Sequence, residues 1–364
     1  MTTSSDPTHA FQRLADAEAA IAGEGCLLRV EIPGVGVWEH AAGGIERGGE
    51  PAAPTSPFRI ASITKTFTAA VVTQLAAEGR LGLDDPMAAH LPADHQDLVD
   101  RIHVLDGVSS GASITIRQLL THASGLFDYA MSDGFFEQII LDPGHVWTPR
   151  QMLEGSIVWG RPHFLPGQGY GYAYSDTGYV LLGVIIEHLD ARPLHESYRT
   201  RILDPLGLGN TYLEGFEAHR GSPMTHPYQG EFDAAPIHGS ADWAGGGLVS
   251  DTRDLAAFAA ALAAGRVVAR PWLDEMMHWQ FRTLDPERHS PGFRGYGFGL
   301  EAREQDGFVL RGHRGHWGAW MHVDPVSGMT ITGTINQADR RPDAVVQGVT
   351  AEVRRCGLVA GGAQ

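Results

Sequence analysis

The chain has 364 residues, of which 43% are hydrophobic and 19% are charged, and this composition is typical of a globular protein with a substantial core. Its formal net charge of -16 disfavours nucleic acid as a partner, because an acidic surface repels a phosphate backbone. The N-terminal segment has no positively charged start followed by an apolar stretch, and no apolar run is long enough to cross a bilayer, so we expect a cytoplasmic protein without a membrane partner.

Hydrophobic patterning predicts secondary structure at both ends of the chain. An amphipathic helix is expected at residues 10–22, and the last element is a helix at residues 343–356. Strands are predicted at residues 27–32, 35–41, 308–312, 317–324 and 329–336. Because strands from both ends flank a mostly helical middle, we predict an α/β (α+β) fold, in which one antiparallel sheet is built from both termini and flanked by helices. The sheet domain is expected at residues 1–80 and 245–364, and the inserted, mostly helical domain at residues 81–244.

Lysine occurs once in the chain, at position 65, although lysine and arginine together number 27. Arginine stays protonated in proteins, whereas a lysine amine loses its proton when it is desolvated or placed near other cations. A single retained lysine therefore indicates proton transfer, unless a general bias against lysine left it there by chance.

The single lysine lies three residues after Ser62, near the start of an apolar helix predicted within residues 57–81. Residues i and i+3 project from the same face of a helix, so the Lys65 amine can take the proton of the Ser62 hydroxyl. This step needs a neutral amine, which burial in the helical core favours. An isolated S-x-x-K is more often a helix cap followed by a surface lysine, but the apolar helix and the motifs downstream favour catalysis here.

The stretch SITKTFTAAVVTQLAAEGRLGLDDP, which begins at Ser62, resembles the first signature of the serine β-lactamase and D-alanyl-D-alanine carboxypeptidase (penicillin-binding-protein-like) superfamily. Three further segments are similar to the branch with class C β-lactamases, D-aminopeptidases, D-amino-acid amidases and esterases: ITIRQLLTHASGL, YSDTGYVLLG and RILDPLGLGNT, at residues 114–126, 174–183 and 201–211. The resemblance implies a β-lactamase/transpeptidase-like fold and an acyl-enzyme on Ser62.

In this family a tyrosine, any residue and usually an asparagine face the nucleophile, and Tyr174-Ser175-Asp176 occupies that place. The resemblance implies that Tyr174 is catalytic and shares proton transfer with Lys65. Its phenol would need cationic neighbours in order to titrate near neutrality, and Lys65 and His313 are the candidates.

Two departures from the family pattern leave alternatives open. The loop before the motif is about two residues longer than in the family, so Tyr172 is a second candidate for the working phenol. Asp176 stands in place of asparagine, and it is a candidate both for the cap of a helix predicted at residues 179–189 and for a substrate-binding carboxylate; the two roles are compatible. A carboxylate near Lys65 would hold the amine in its charged form, which makes Tyr174 the stronger candidate for the base.

The segment RGHRGH, at residues 311–316, lies where the family places K-T-G or H-x-G on the strand that lines the site. The resemblance implies that His313 is a catalytic strand residue facing Ser62. It also implies that Gly315 lets the substrate backbone approach and that the N–H of His316 is the second oxyanion donor. We expect no metal at these histidines, because H-E-x-x-H is absent and no third ligand has suitable spacing.

The sequence GVSSG, at residues 107–111, fits the G-x-S-x-G elbow of α/β-hydrolases and would make Ser109 the nucleophile. That elbow must lead directly into a helix, whereas residues 112–114 intervene here, so we interpret it as a surface loop. His122, in LLTHASGL, is interpreted as a structural residue that holds a loop.

The residues and the resemblance together predict a serine hydrolase that cleaves a small-molecule amide, peptide or ester and needs no cofactor. Family members with H-x-G act on D-residues, and His313 and Gly315 supply that motif, so the resemblance implies above all a D-stereospecific amidase or peptidase. A carboxylesterase, an acyltransferase or a β-lactamase on the same fold are the alternatives. Outside enzymology, the alternative is a catalytically inactive binding protein.

Overall fold

The computed structural model describes residues 6–22, 25–168, 171–279 and 292–359. Its helices are α1 (Thr8–Ala22), α2 (Thr64–Ala77), α3 (Gln96–Ile102), α4 (Ile116–Leu120), α5 (Asp133–Leu141), α6 (Pro149–Val158), α7 (Asp176–Asp190), α8 (Leu194–Tyr198), α9 (Asp204–Leu206), α10 (Trp243–Gly246), α11 (Thr252–Ala263), α12 (Trp272–Met277) and α13 (Asp343–Arg355). Its strands are β1 (Gly25–Ile32), β2 (Gly36–Gly43), β3 (Phe58–Arg59), β4 (Val104–Leu105), β5 (Val108–Ser109), β6 (Tyr212–Leu213), β7 (Tyr228–Gln229), β8 (Phe232–Asp233), β9 (Leu248–Ser250), β10 (Phe293–Tyr296), β11 (Glu301–Gln305), β12 (Phe308–Arg314), β13 (Ala319–Val323) and β14 (Thr330–Thr334). Within the described ranges, no helix has the length and apolar character needed to cross a bilayer.

A seven-stranded sheet joins the two ends of the chain in the order β10-β11-β12-β13-β14-β1-β2. Every neighbouring pair is antiparallel, and the termini meet where β1 pairs with β14, with Leu28 opposite Gly333. The predicted fold class is therefore confirmed. The sequence did not predict β10 and β11, because β11 carries the charged residues Glu301 and Arg303, whose burial rests on ion pairs rather than on an apolar pattern.

Helices cover both faces of this sheet. On one face α1 and α13 share a hydrophobic cluster with the strands, to which they contribute Phe11 and Val349. On the other face α11 packs against β1, β13 and β14, and α2 lies beyond it. The rings of Phe67 on α2 and Phe258 on α11 stack with their centroids 3.7 Å apart. These contacts fix the position of α2, and therefore of Lys65, relative to the sheet.

Helix α2 is buried along its length, and its polar side chains are bonded to neighbouring elements. Thr66 Oγ1 donates to the carbonyl of Gly299 at 2.6 Å, and Thr68 Oγ1 donates to the carbonyl of Ala244 at 2.7 Å. A buried hydroxyl is costly unless it is hydrogen-bonded, so these bonds fix the rotation of α2 about its axis. The first turn of α2 is thereby held against α10.

The main hydrophobic core is continuous across the predicted domain boundaries near residues 80 and 245. One cluster includes Leu27 on β1, Phe67 on α2, Tyr179 on α7 and Val323 on β13. In sequence, helices α3 to α9 lie between the two parts of the chain that form the large sheet. The division into a sheet domain and an inserted helical domain stays a prediction, because a shared core marks no boundary by itself.

Candidate active site

Ser62 lies in a single 3-10 turn, Ala61–Ile63, that leads directly into α2. The residue before it, Ala61, has a φ of 45°, in the left-handed region where a side chain other than glycine is strained. Such strain persists only where the surrounding structure imposes it, and it is concentrated at functional sites. The serine is partly exposed, whereas the residues on either side of it are buried.

The Lys65 amine is buried, with a side chain that is 0% exposed, and it has three acceptors. It lies 3.1 Å from Ser62 Oγ and 2.8 Å from the carbonyl oxygen of Gly245, and it forms an ion pair with Asp176 Oδ1. Three acceptors match the three N–H donors of an ammonium group. These contacts are the ones expected for an amine that a neighbouring carboxylate holds in its charged form.

Asp176 is the first residue of α7, which begins three residues earlier than predicted. Ser175 is the N-cap residue and its own side chain makes no capping hydrogen bond, so Asp176 is not the N-cap of this helix. The carboxylate of Asp176 forms an ion pair with Lys65, and its backbone N–H donates to Asp128 Oδ1 at 3.1 Å. A Cβ on Gly245 would lie 2.5 Å from Asp176 Oδ1, so the close approach requires glycine there.

Two further carboxyl groups, which the sequence did not single out, lie close enough to the ion pair of Lys65 and Asp176 to interact with it electrostatically. Burial and then the charge of Asp176 raise the pKa of Asp128 well above its usual value. The same two causes raise the pKa of Asp242 to about 6, although Lys65 acts to lower it. Three carboxyl groups thus surround one lysine. Both residues were missed because they lie in loops and carry no motif.

Tyr174 lies close to Lys65 and Ser62, and this favours it over Tyr172 as the candidate phenol. Its ring centroid lies 4.9 Å from Lys65 Nζ, and the Ser62 hydroxyl is near enough to act on its pKa. Among the described residues its phenolic oxygen, although buried, has no partner with hydrogen-bond geometry. Tyr172 packs instead against Tyr296, with ring centroids 6.0 Å apart.

The Tyr174 phenol is neutral in the resting site. Burial and then the negative charge of Asp176 raise its pKa well above the usual value. The expectation that Lys65 and His313 bring this pKa towards neutrality is not met in the resting site, because burial and the Asp176 charge raise it. The other expected cation, His313, is neutral as well.

His313 lies on β12 with both ring nitrogens engaged inside the protein. Nδ1 is 2.7 Å from the carbonyl oxygen of Arg314, which can only accept, so Nδ1 carries the proton. Nε2 is 2.9 Å from the hydroxyl of Tyr296 on β10 and therefore accepts from it. Burial lowers the pKa of His313 to about 4. The predicted residue facing Ser62 is thus a neutral ring bonded to Tyr296, a partner that the sequence did not reveal.

Gly315 has a packing reason of its own to be glycine. A Cβ at this position would lie 2.3 Å from the carbonyl oxygen of Ile60, so glycine lets the end of β12 rest on the turn that carries Ser62. The predicted role of Gly315 in substrate approach stays a prediction. The next N–H, that of His316, has no backbone acceptor within the described part of the chain, and its role as an oxyanion donor stays a prediction.

Ser109 lies in an exposed hairpin formed by β4 and β5, which is followed by a short 3-10 turn at Gly111–Ser113 and not directly by an α-helix. Its hydroxyl donates to the carbonyl of Asp100 at 2.9 Å. The α/β-hydrolase interpretation is wrong, and the surface-loop interpretation is confirmed. Across the described ranges, no group of three or more His, Cys, Asp or Glu side chains is arranged to hold a metal ion.

Comparison with known proteins gives one family and several relatives. Residues 17–353 match the protein-family model of the beta-lactamase family. Esterase EstB from Burkholderia gladioli is 28% identical over 226 residues, or 60% of this chain. The match covers 52% of the esterase, so the chain spans about half the length of that relative.

Solved structures resemble the whole chain. A D-stereospecific amidohydrolase from Streptomyces sp. is 30% identical, with a TM-score of 0.81 over 97% of this chain and 99% of that one. A D-amino acid amidase from Ochrobactrum anthropi SV3 is 27% identical, with a TM-score of 0.79 over 97% of this chain and 98% of that one.

We expect Asp176→Asn to fold and to turn over substrate near neutral pH at a rate similar to or higher than that of the wild type. The dependence of the rate on pH should change on the alkaline side. Asparagine keeps an acceptor for Lys65 but removes the charge that holds the lysine protonated, so more neutral amine is available. The pH dependence of kcat/KM measures this. Asp176→Ala, which also removes the acceptor, is the comparison. Loss of activity in a folded Asp176→Asn variant would instead assign the carboxylate a direct role with substrate.

We expect Asp242→Asn to raise the free energy of unfolding at pH 8. Because the folded pKa of about 6 lies above the value of 3.8 for an unperturbed carboxyl, ionisation of Asp242 destabilises the folded state at alkaline pH. The gain should vanish once the pH falls below about 4, where both states are protonated. Urea unfolding at several pH values measures it.

Asp190→Asn is the control, for which we expect the opposite change in the free energy of unfolding. Although burial alone would raise it, hydrogen bonds from Arg201 and Arg80 lower the pKa of Asp190 to about 2. That substitution should lower stability at pH 8, and the loss should shrink as the pH falls towards 2. An Asp242→Asn variant that also loses stability at pH 8 would contradict the sign argued for Asp242.

Proposed function

The chain belongs to the beta-lactamase family, and from this premise we propose that it is a serine hydrolase whose acyl-enzyme forms on Ser62 and whose preferred substrates are D-configured amino-acid amides or peptides. The observation that carries the proposal is the Lys65 amine, buried between Ser62 Oγ at 3.1 Å and the carboxylate of Asp176. A surface lysine beside a capping serine would show neither the burial nor the ion pair.

The proposed reaction assigns each proton to a group near its donor. Ser62 Oγ bonds to the substrate carbonyl carbon, and its proton must pass to a base. Lys65 is that base in the fraction of molecules whose amine is unprotonated, a fraction that the negative charge of Asp176 keeps small. The C–N bond then breaks, and the leaving amine takes a proton from Lys65 or Tyr174. Water, or an amine in its place, then attacks the carbonyl carbon of the ester and gives a proton to Lys65. The bond from that carbon to Ser62 Oγ breaks, Oγ takes the proton back from Lys65, and the acid, or the new amide, leaves.

The preference for the D configuration draws on the structural neighbours. The Streptomyces neighbour is a D-stereospecific amidohydrolase, the Ochrobactrum neighbour is a D-amino acid amidase, and each resembles this chain over nearly its full length. There is also a steric reason. If the carbonyl oxygen is fixed by two N–H donors between β12 and the Tyr174 loop, inversion at the α-carbon drives the side chain into one wall.

A carboxylesterase is the second candidate, and its support is the similarity to the Burkholderia esterase. The same acyl-enzyme serves both reactions, because only the leaving group differs. Rates on the D-alanine amide and the D-alanine methyl ester separate the two, since a pure esterase leaves the amide intact. An inactive binding protein would form no covalent adduct at Ser62.

We expect a fluorophosphonate to label Ser62, and Ser62→Ala to abolish both the label and turnover. Lys65→Arg should lower kcat more than about 1000-fold, because it keeps the charge and removes an amine that can release a proton. Mass spectrometry of the labelled peptide and steady-state rates measure both effects. Ser109→Ala, which changes the exposed serine of the rejected elbow, is the matched control and should leave label and rate intact. Near-native turnover by Lys65→Arg would make Lys65 an electrostatic element only.

We expect D-alanine amide to be hydrolysed at least about tenfold faster than L-alanine amide, which corresponds to about 1.4 kcal/mol of discrimination. The fixed carbonyl and the two walls of the site are the physical reason. Release of ammonia under matched conditions gives kcat/KM for each enantiomer. Equal rates, or a preference for the L form, would leave a general esterase as the better description.

A further inference from the structure

His122 has a backbone conformation that its residue type does not favour. It follows α4 with a φ of 57°, in the left-handed region, and its side chain is 1% exposed. Histidine adopts this region more readily than bulky residues do, but a buried non-glycine residue there still indicates a position that its surroundings impose. The proposed reaction assigns this residue no role.

Two hydrogen bonds connect His122 to the loop that carries Tyr174. The N–H of Ala173 donates to the carbonyl oxygen of His122 at 2.9 Å. The N–H of Ser175 donates to His122 Nδ1 at 3.1 Å. The backbone is thus held immediately before and immediately after Tyr174 by one residue.

The imidazole also forms the surface on which Tyr174 rests. The two rings lie 4.2 Å apart between centroids, at an angle of 33°. On other sides the imidazole contacts Tyr179 and Tyr296, with centroids at 5.2 Å and 4.7 Å. The phenol of Tyr174 therefore has an aromatic support and a backbone anchor from the same side chain.

The His122 ring is in a protonation state that lets its Nδ1 atom accept a hydrogen bond. Burial and then the charge of Lys65 lower its pKa well below the usual value, so the ring is neutral. Because Nδ1 accepts from Ser175, the proton is on Nε2, and Nε2 has no partner in the described part of the chain. The hydrogen bond that fixes the ring is thus the one that Nδ1 accepts from the N–H of Ser175.

We propose that His122 is a positioning residue: it holds the phenol of Tyr174 beside Ser62 by accepting from Ser175 and by packing against the phenol ring. This inference rests on the proposed role of Tyr174 in proton transfer. His122 touches neither Ser62 nor Lys65 through a hydrogen bond found among the described residues, so it acts through Tyr174.

Two substitutions separate the acceptor from the rest of the ring. The side-chain oxygen of asparagine takes the place of Nδ1, and asparagine tolerates a positive φ. Glutamine places its amide near Nε2 and leaves Ser175 without its acceptor. We expect His122→Gln to lower kcat about 100-fold through misplacement of the phenol, and His122→Asn to stay much closer to the wild type. Thermal unfolding and fluorophosphonate labelling of Ser62 show that each variant is folded.

A double-mutant cycle with Tyr174→Phe decides whether His122 acts through the phenol. Once the hydroxyl is gone, its position no longer matters, so His122→Gln should cost no further kcat in the Tyr174→Phe background. Equal fold-losses in both backgrounds would overturn the inference and make His122 an independent structural residue. An unchanged kcat for Tyr174→Phe alone would instead overturn the proposed role of Tyr174, and the inference with it. His122→Gly, which keeps the positive φ and removes ring and acceptor, replaces the glutamine variant if that one unfolds.

Discussion

The charge of Lys65 is the constraint on which the rest of the site depends. A cation whose side chain is 0% exposed is tolerated only when it is paired and all its donors are satisfied. Its acceptors come from three separate segments: the turn with Ser62, the start of α7 with Asp176, and the Gly245 carbonyl in α10. Any arrangement that moves one of these segments leaves a buried donor unpaired, so the three move together or not at all.

The site around this lysine is richer in carboxyl groups than a stable core requires. Asp128 and Asp242 approach the pair formed by Lys65 and Asp176, and burial together with the Asp176 charge raises the pKa of both. Ionised carboxylates so close to one another repel, which lowers the stability of the folded state. The same arrangement places several titratable groups around the one buried lysine.

The strand β12 supports this site mainly through packing. His313 is bonded to Tyr296 and to the Arg314 carbonyl, and Gly315 makes room for the Ile60 carbonyl just before the strained turn. The His313 ring thus connects β12 to β10, and Gly315 lets the end of β12 rest against the turn that carries Ser62.

The sequence by itself determined the fold class and the central pair. Strands at both ends show as patterns of alternating and β-branched residues, and Ser62 and Lys65 are three positions apart, so local geometry alone puts them together. Tertiary structure decided the partner of Lys65, since Asp176 lies 111 positions away and no periodicity relates them. It also decided which groups carry protons, because the pKa of Tyr174 and of His313 depends on burial and on charges that only the folded chain brings near.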